Sequence, residues 1–396
     1  MIKRTIKIYL LLVFASKLSV AFSFTTYVMF LLSRGLTIFE TSLVNMVFYA
    51  TLFIFEIPTG ALADVFGRKF SFVASCFLTA LGLFFYYLSG SLWGFALAEA
   101  TIAIGHTFSS GAFQAWLVDK LHYHGFDGEL KKIFAKEQVL NNVAIIFGGL
   151  LGAYIGKVNL AWPWLLAAVS MAIVGAMAQM LMKEEYFVRQ QISWSLGWQS
   201  LKEVVRSSWQ AGVKNKAVRF LILLGTVQYF AVQAPNMQWQ PYFVKNFHIE
   251  NQYLGWIFSG VSICMMFGSM LAPYFAHKLK QEKKILLWSQ ALIGSSLILA
   301  SFSQIFSMAL IFFWAHEFGR GLFKPLKDQY LNDSIESAQL RATLISFESM
   351  SHHIGGFFGL LVGGLLAQVF SIQSAWLASG LLLIVMSWLL AKNGRA

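Results

Sequence analysis

The sequence predicts an all-α membrane protein whose twelve transmembrane helices form two six-helix halves, and three observations predict it. The 396 residues are 57% hydrophobic and 12% charged, with a mean hydropathy of +0.63, whereas soluble domains carry about 25% charged residues. The apolar runs are long and continuous, as spanning helices of ~20 residues require, not the short alternating segments of a membrane β-barrel. At ~33 residues per span and connection, the length accommodates roughly twelve.

The spans are expected at 8–32, 37–63, 70–90, 92–120, 133–156, 160–182, 217–244, 251–276, 284–303, 305–332, 341–368 and 372–391. The run after Met1-Ile2-Lys3-Arg4 could imitate a cleaved leader, but Lys17 interrupts it and many spans follow. It reads as the first helix. The longest polar connection, 183–216, mixes Lys183, Glu184, Glu185, Arg189, Lys202, Glu203 and Arg206 with Trp194, Leu196, Trp198 and Leu201. That mixture suits an amphipathic helix at the membrane surface. The chain therefore divides into an N-terminal bundle (1–182), a cytoplasmic linker (183–216) and a C-terminal bundle (217–396).

Charge placement gives the orientation. With the N-terminus inside, cytoplasmic segments hold 25 Lys and Arg residues, and the outer loops hold three, Arg34, Lys157 and Lys245. This positive-inside asymmetry predicts a multi-pass protein of the cell (inner) membrane with both termini cytoplasmic. It also accounts for the net charge of +12 without nucleic acid as a partner. Cys76 and Cys264 lie in apolar runs, without disulfide or metal-type spacing.

Between the second and third spans the chain reads Gly60-Ala61-Leu62-Ala63-Asp64-Val65-Phe66-Gly67-Arg68-Lys69. This resembles the signature G-x-L-x-D-r-x-G-R-k of the major facilitator superfamily, in the same loop, with Val65 where a basic residue is usual. The resemblance implies two pseudo-symmetric six-helix bundles and secondary transport by alternating access. It also implies an inner gate in which Asp64 faces the start of the eleventh helix at Arg341-Ala342-Thr343, and Arg68 pairs with Asp119. Gly60 permits close helix approach and Gly67 a tight turn; Glu56, near the same end, joins this gating group. The corresponding loop of the second half, Gly268 to Lys284, keeps a glycine and basic residues but no aspartate, as a degenerate internal copy would. Gly148, Gly152 and Gly156 on the fifth span, and Gly355, Gly359 and Gly363 on the eleventh, repeat at four-residue spacing and permit close helix contact. The fifth-span stripe resembles the antiporter motif of bacterial drug-efflux members, without their proline.

A charge inside a bilayer costs several kcal/mol on insertion scales, so each one requires a reason. Lys17, Glu56, Glu99, Glu317, Arg320 and Glu348 fall within spans, with His106, His316, His352 and His353. The third, sixth, ninth and twelfth spans carry none away from their ends, and in the superfamily these are the peripheral helices. Helical spacing puts Glu99 and His106 on one face, as it does Glu317 and Arg320, and Glu348 and His352. Glu99, Glu317, His106, His352, His353 and Glu348 are therefore candidates for proton coupling, or else polar pairs that hold helices together. On the seventh span Gln233, Asn236, Tyr229 and Trp239 surround Pro235. Together with Lys17 and Arg320 they are candidate substrate contacts, a wall suited to a moderately polar, ring-bearing solute; Gln114 and Trp116 of the fourth span are further ones.

No phosphate-binding loop, nucleophile or metal constellation is readable, so neither an enzyme nor a cofactor is expected. The expected partners are a small-molecule substrate, protons and the lipid bilayer, and the protein is expected to be a monomer. The leading expectation is proton-coupled export (antiport) of small amphipathic or drug-like compounds. The alternatives are proton-driven uptake of a specific metabolite and a lipid-type substrate.

Overall fold

A computed structural model describes residues 1–187, 216–279, 281–334 and 338–393. The expected amphipathic helix of the linker lies almost wholly outside them. The first span is α1 (Ile2–Phe24) and α2 (Tyr27–Ser33), and the second is α3 (Ile38–Phe66). The third is α4 (Arg68–Leu88), and the fourth is α5 (Leu92–Ser109) and α6 (Ala112–Tyr123). The fifth and sixth are α7 (Leu130–Val158) and α8 (Trp162–Leu181). The second half runs α9 (Lys216–Phe247), α10 (Leu254–Leu279), α11 (Glu282–Phe302), α12 (Phe306–Asp333), α13 (Ala338–Val369) and α14 (Ile372–Asn393).

Two expected continuous spans are broken. Ser110 leaves the helical conformation with ψ 111° and Gly111 adopts a left-handed φ of 72°, which separates α5 from α6; a residue without Cβ takes that conformation at little cost. The first span breaks at Thr25 and Thr26, and the Thr25 hydroxyl donates to the Gly149 carbonyl of α7 at 2.9 Å. Ten of the described helices are long and apolar enough to cross a bilayer. The fourth span falls short because α5 carries Glu99 and His106, and α12 because it carries His316, Glu317, Arg320, Lys324, Lys327 and Asp328. These two bring the spans to twelve.

The chain forms two units, residues 1–35, 47–201 and 250–258 in unit 1, and 36–46, 202–249 and 259–396 in unit 2. Each has the same internal packing. In unit 1 the first span packs on the fifth and sixth, and the third on the fourth and sixth. In unit 2 the seventh packs on the eleventh and twelfth, and the ninth on the tenth and twelfth.

The glycine stripes mediate equivalent contacts. A Cβ on Gly148 would meet the Leu18 carbonyl, and one on Gly152 the Phe22 carbonyl, both on α1. A Cβ on Gly355 would meet the Thr226 carbonyl, and one on Gly359 the Phe230 carbonyl, both on α9. Small residues here bring backbones together where lipid supplies no hydrophobic drive between helices. Pro325, inside α12, cannot donate to the carbonyl of Gly321; the Ser269 hydroxyl of α10 donates to it at 3.0 Å instead.

Candidate functional site

Unit 2 holds two polar clusters. In the first, Arg320 Nη1 donates to both Glu317 carboxylate oxygens at 2.9 Å and to the Asn236 carbonyl oxygen at 2.7 Å. Spacing three apart on α12 produces the ion pair, and α9 supplies the amide beside Pro235. Glu317 is buried, whereas the Arg320 side chain keeps 21% of its exposure. The fully buried His316 ring lies 3.4 Å from Glu317. Phe313, stacked near Trp239 at 6.2 Å and His316 at 5.8 Å, closes the apolar side. The predicted substrate contacts Arg320, Asn236 and Trp239 thus converge here, with Gln233 buried on the same helix.

The second cluster joins Glu348 and His352 of α13 to Lys327 of α12 and Tyr229 of α9. Lys327 forms a direct ion pair with Glu348 and lies 3.3 Å from His352 Nε2. His352 is 3.6 Å from Glu348 and stacks on Tyr229 with centroids 4.2 Å apart. Gly225 lets these groups approach α9, since a Cβ there would meet both His352 and Lys327. His353 lies apart, 3.4 Å from the Ser349 hydroxyl. Lys327, one of the 25 basic residues in the sequence count, is 3% exposed and held inside unit 2.

In unit 1, Glu99, one of the predicted proton-coupling residues, is buried. The Glu99 carboxylate accepts a short hydrogen bond from Tyr86 of α4, whose ring stacks on Trp164 of α8 at 4.1 Å. It therefore faces the peripheral third and sixth helices. His106 is exposed, edge-on to Phe48. Lys17 lies near a carboxylate that the sequence reading missed, Glu137 of α7. That carboxylate accepts from the Tyr9 hydroxyl at 2.6 Å and from the Gln114 amide at 3.2 Å. Trp116, by contrast, is buried and donates to the Lys183 carbonyl at 3.2 Å, a structural bond.

The signature loop also gains an unforeseen partner. Gly67, with φ 95°, caps α4, and the backbone N–H groups of Arg68 and Lys69 donate to Glu184 at 2.8 and 3.2 Å. A carboxylate at a helix N-terminus satisfies donors the helix leaves open and opposes its dipole. Lys120 donates to Glu185 at 2.9 Å and to the Lys183 carbonyl at 2.8 Å. Residues 183–187 thus clasp the start of α4 and the end of α6. Arg68 and Asp119 both act on the Tyr186 phenol, which burial and the nearby Glu184 and Asp119 push up while Arg68 opposes them. The side chains of Asp64, Arg341 and Thr343 lie outside the described residues, and Glu56 is half-buried.

Twelve spanning helices in two similarly packed units, with ionised groups held inside each, define a polytopic membrane carrier fold. Residues 9–235 and 221–394 match the family model of the Major Facilitator Superfamily. The chain belongs to that superfamily of transporters. It is 22% identical over 362 residues to the uncharacterized MFS-type transporter YxaM of Bacillus subtilis (strain 168), covering 91% of this chain and 88% of that one. Among solved structures it is similar to the nucleoside transporter NupG, with TM-score 0.82, 15% identity and 99% coverage of both chains. It is also similar to a POT family transporter in complex with a thioalcohol-conjugated peptide, with TM-score 0.71, 13% identity and coverage of 99% and 96%.

Proposed function

We propose that this protein is a proton-coupled secondary transporter of small organic solutes that works by alternating access. The observation that carries the reading is the Glu317–Arg320–Asn236 constellation. A buried ion pair in a spanning helix is costly unless both members are held. A proton on Glu317 neutralises the carboxylate that holds Arg320, and frees the guanidinium to donate to an anionic or acceptor group of a solute. Release of that solute lets Glu317 lose its proton and take Arg320 back. The gating role of Asp64, Gly60, Gly67, Arg68, Asp119 and Glu56 belongs to the same proposal, with the Glu184 contact bracing the α4 end of the loop.

Two directions each have an observation behind them. The paired rings of Trp239 and Phe313 beside the Arg320 cluster favour export of amphipathic compounds against protons. The defined acid–guanidinium–amide geometry favours uptake of one polar metabolite with protons. In either case we place the protein in the cell membrane with both termini cytoplasmic, on the strength of the 25-to-three asymmetry of its basic residues.

Purified protein in vesicles with an internal pH indicator tests this. Nucleosides, dipeptides, organic anions and cationic dyes are added under an imposed pH gradient. Solute-dependent proton movement is expected for one class, and its sign gives the direction. Glu317→Gln is expected to abolish gradient-driven accumulation while solute exchange continues. A solute that crosses at the same rate whatever the gradient removes the proton role.

A further inference from the structure

A guanidinium has N–H donors along every edge and no acceptor, yet Arg320 makes its polar contacts through Nη1 alone. That nitrogen serves both Glu317 oxygens at 2.9 Å and the Asn236 carbonyl oxygen at 2.7 Å. The other edge of the fork, Nε with Nη2, donates to no described residue. Because the guanidinium can only donate, the Asn236 amide must turn its oxygen toward Nη1. Its nitrogen Nδ2 is then left beside the ion pair, also without a partner among the described residues. Unpartnered polar atoms sealed inside the protein occur in His316, Gln290 and Trp376, whereas the open nitrogens of Arg320 and Asn236 are not sealed.

The opening is local. Residues 231–243 of α9 are buried with the exception of Asn236, and residues 319–323 of α12 with the exception of Arg320. The two side chains that reach open space are the two that touch each other between the seventh and tenth spans. Glu317, 2% exposed, closes one side. A free guanidinium edge turned to hydrocarbon is penalised; one turned to a solute chamber is a ready, oriented donor.

We propose that the solute carries a carboxylate, which docks side-on against Arg320 Nε and Nη2 with Asn236 Nδ2 as a further donor. The inference rests on the reading of this constellation as the solute site, and it names the class of solute. Unfilled donors with no unfilled acceptor beside them match a group that only accepts, and an ionised carboxylate is such a group. The planar fork meets the two carboxylate oxygens in parallel, which a lysine ammonium does not reproduce. Glu317 keeps Nη1 and fixes the plane of the fork, so Arg320 is held between two carboxylates. Docking therefore requires no proton transfer. A primary amide in place of the solute carboxylate would set N–H against N–H and leave donors unpaired. Such a mismatch discriminates strongly between ligands of one shape.

Melting temperatures of the purified full-length protein in detergent, at neutral pH and constant ionic strength, test this. The probes are benzoate, indole-3-acetate and hexanoate, each beside its primary amide. A ligand that binds the folded state raises the melting temperature with its concentration. A saturable rise is expected with at least one carboxylate, and none with its amide. Arg320→Lys keeps the charge without the fork and is expected to weaken that carboxylate by about tenfold or more. Asn236→Asp keeps the shape and the acceptor that Arg320 uses but replaces Nδ2 by a charged oxygen. It is expected to abolish the rise while melting no lower than the wild type without ligand. No rise with any of the carboxylates overturns the proposal, as does an equal rise with the amide or an undiminished one in Asn236→Asp. The amide comparison uses the wild type and stands should either variant fail to fold. The vesicle assay separates the two readings. Carboxylate binding that Asn236→Asp abolishes, without solute-dependent proton flux, keeps the site and removes the coupling; proton-coupled flux of neutral solutes alone keeps the transport and removes the carboxylate.

Discussion

Glu317 and Arg320 illustrate how one substitution exposes the cost of a buried charge. Arg320→Ala leaves the buried Glu317 carboxylate without its guanidinium partner, and breaking such a pair costs about 3–5 kcal/mol. Its melting temperature in detergent is expected to fall well below that of Arg320→Lys, which keeps the charge but not the planar fork. Equal melting temperatures for the two variants would discount the pair's structural weight. Lys120 and Glu185 form a smaller pair with a pH signature. The hydrogen bond from Lys120 holds the Glu185 carboxyl below its ordinary value of 4.5. A carboxyl with a lowered folded value contributes stability above the ordinary value, and loses it as pH falls through the lowered one. The wild type should therefore be slightly more stable than Glu185→Gln near neutrality, by roughly 0.2–1 kcal/mol for so exposed a partner. That advantage should vanish in acid below the ordinary glutamate range; an advantage that grows in acid contradicts the sign. The sequence showed the Glu317–Arg320 pair because three-residue spacing makes helical neighbours. It concealed Glu137 and Lys327, since both lie near helix ends and their partners come from other helices.

Helices meet where glycine allows it. Gly152→Ala would drive a Cβ onto the Phe22 carbonyl and force α7 away from α1, whereas Gly90 has nothing within 4 Å of an added Cβ. Thermal unfolding is expected to show a loss of several degrees for Gly152→Ala and for its counterpart Gly359→Ala, with Gly90→Ala close to wild type. Comparable loss at Gly90 would mean that the stripes are not the contact. Both stripes were legible, because four-residue spacing always aligns a face. Which helix each would meet was not. The breaks at Thr25–Thr26 and Ser110–Gly111 sit inside apolar runs, where hydropathy alone reads continuity. The clasp of Glu184 on α4 joins residues 116 positions apart, a separation no local pattern records.

At the scale of the molecule, topology is the direct test. A green fluorescent protein fused after Ala396 is expected to fluoresce, and alkaline phosphatase fused after Gly90 to be active; the reverse result inverts the orientation. By itself, the sequence determined that the chain is a twelve-span helical membrane protein of duplicated build. Hydropathy and charge asymmetry follow from transfer energies that each segment meets separately. The tertiary structure alone decided which buried charges meet: Glu99 with Tyr86, Lys327 with Glu348, Glu137 with Tyr9 and Gln114. A pairing between helices depends on how each rotates about its axis and packs, and both are set by contacts between residues distant in the chain.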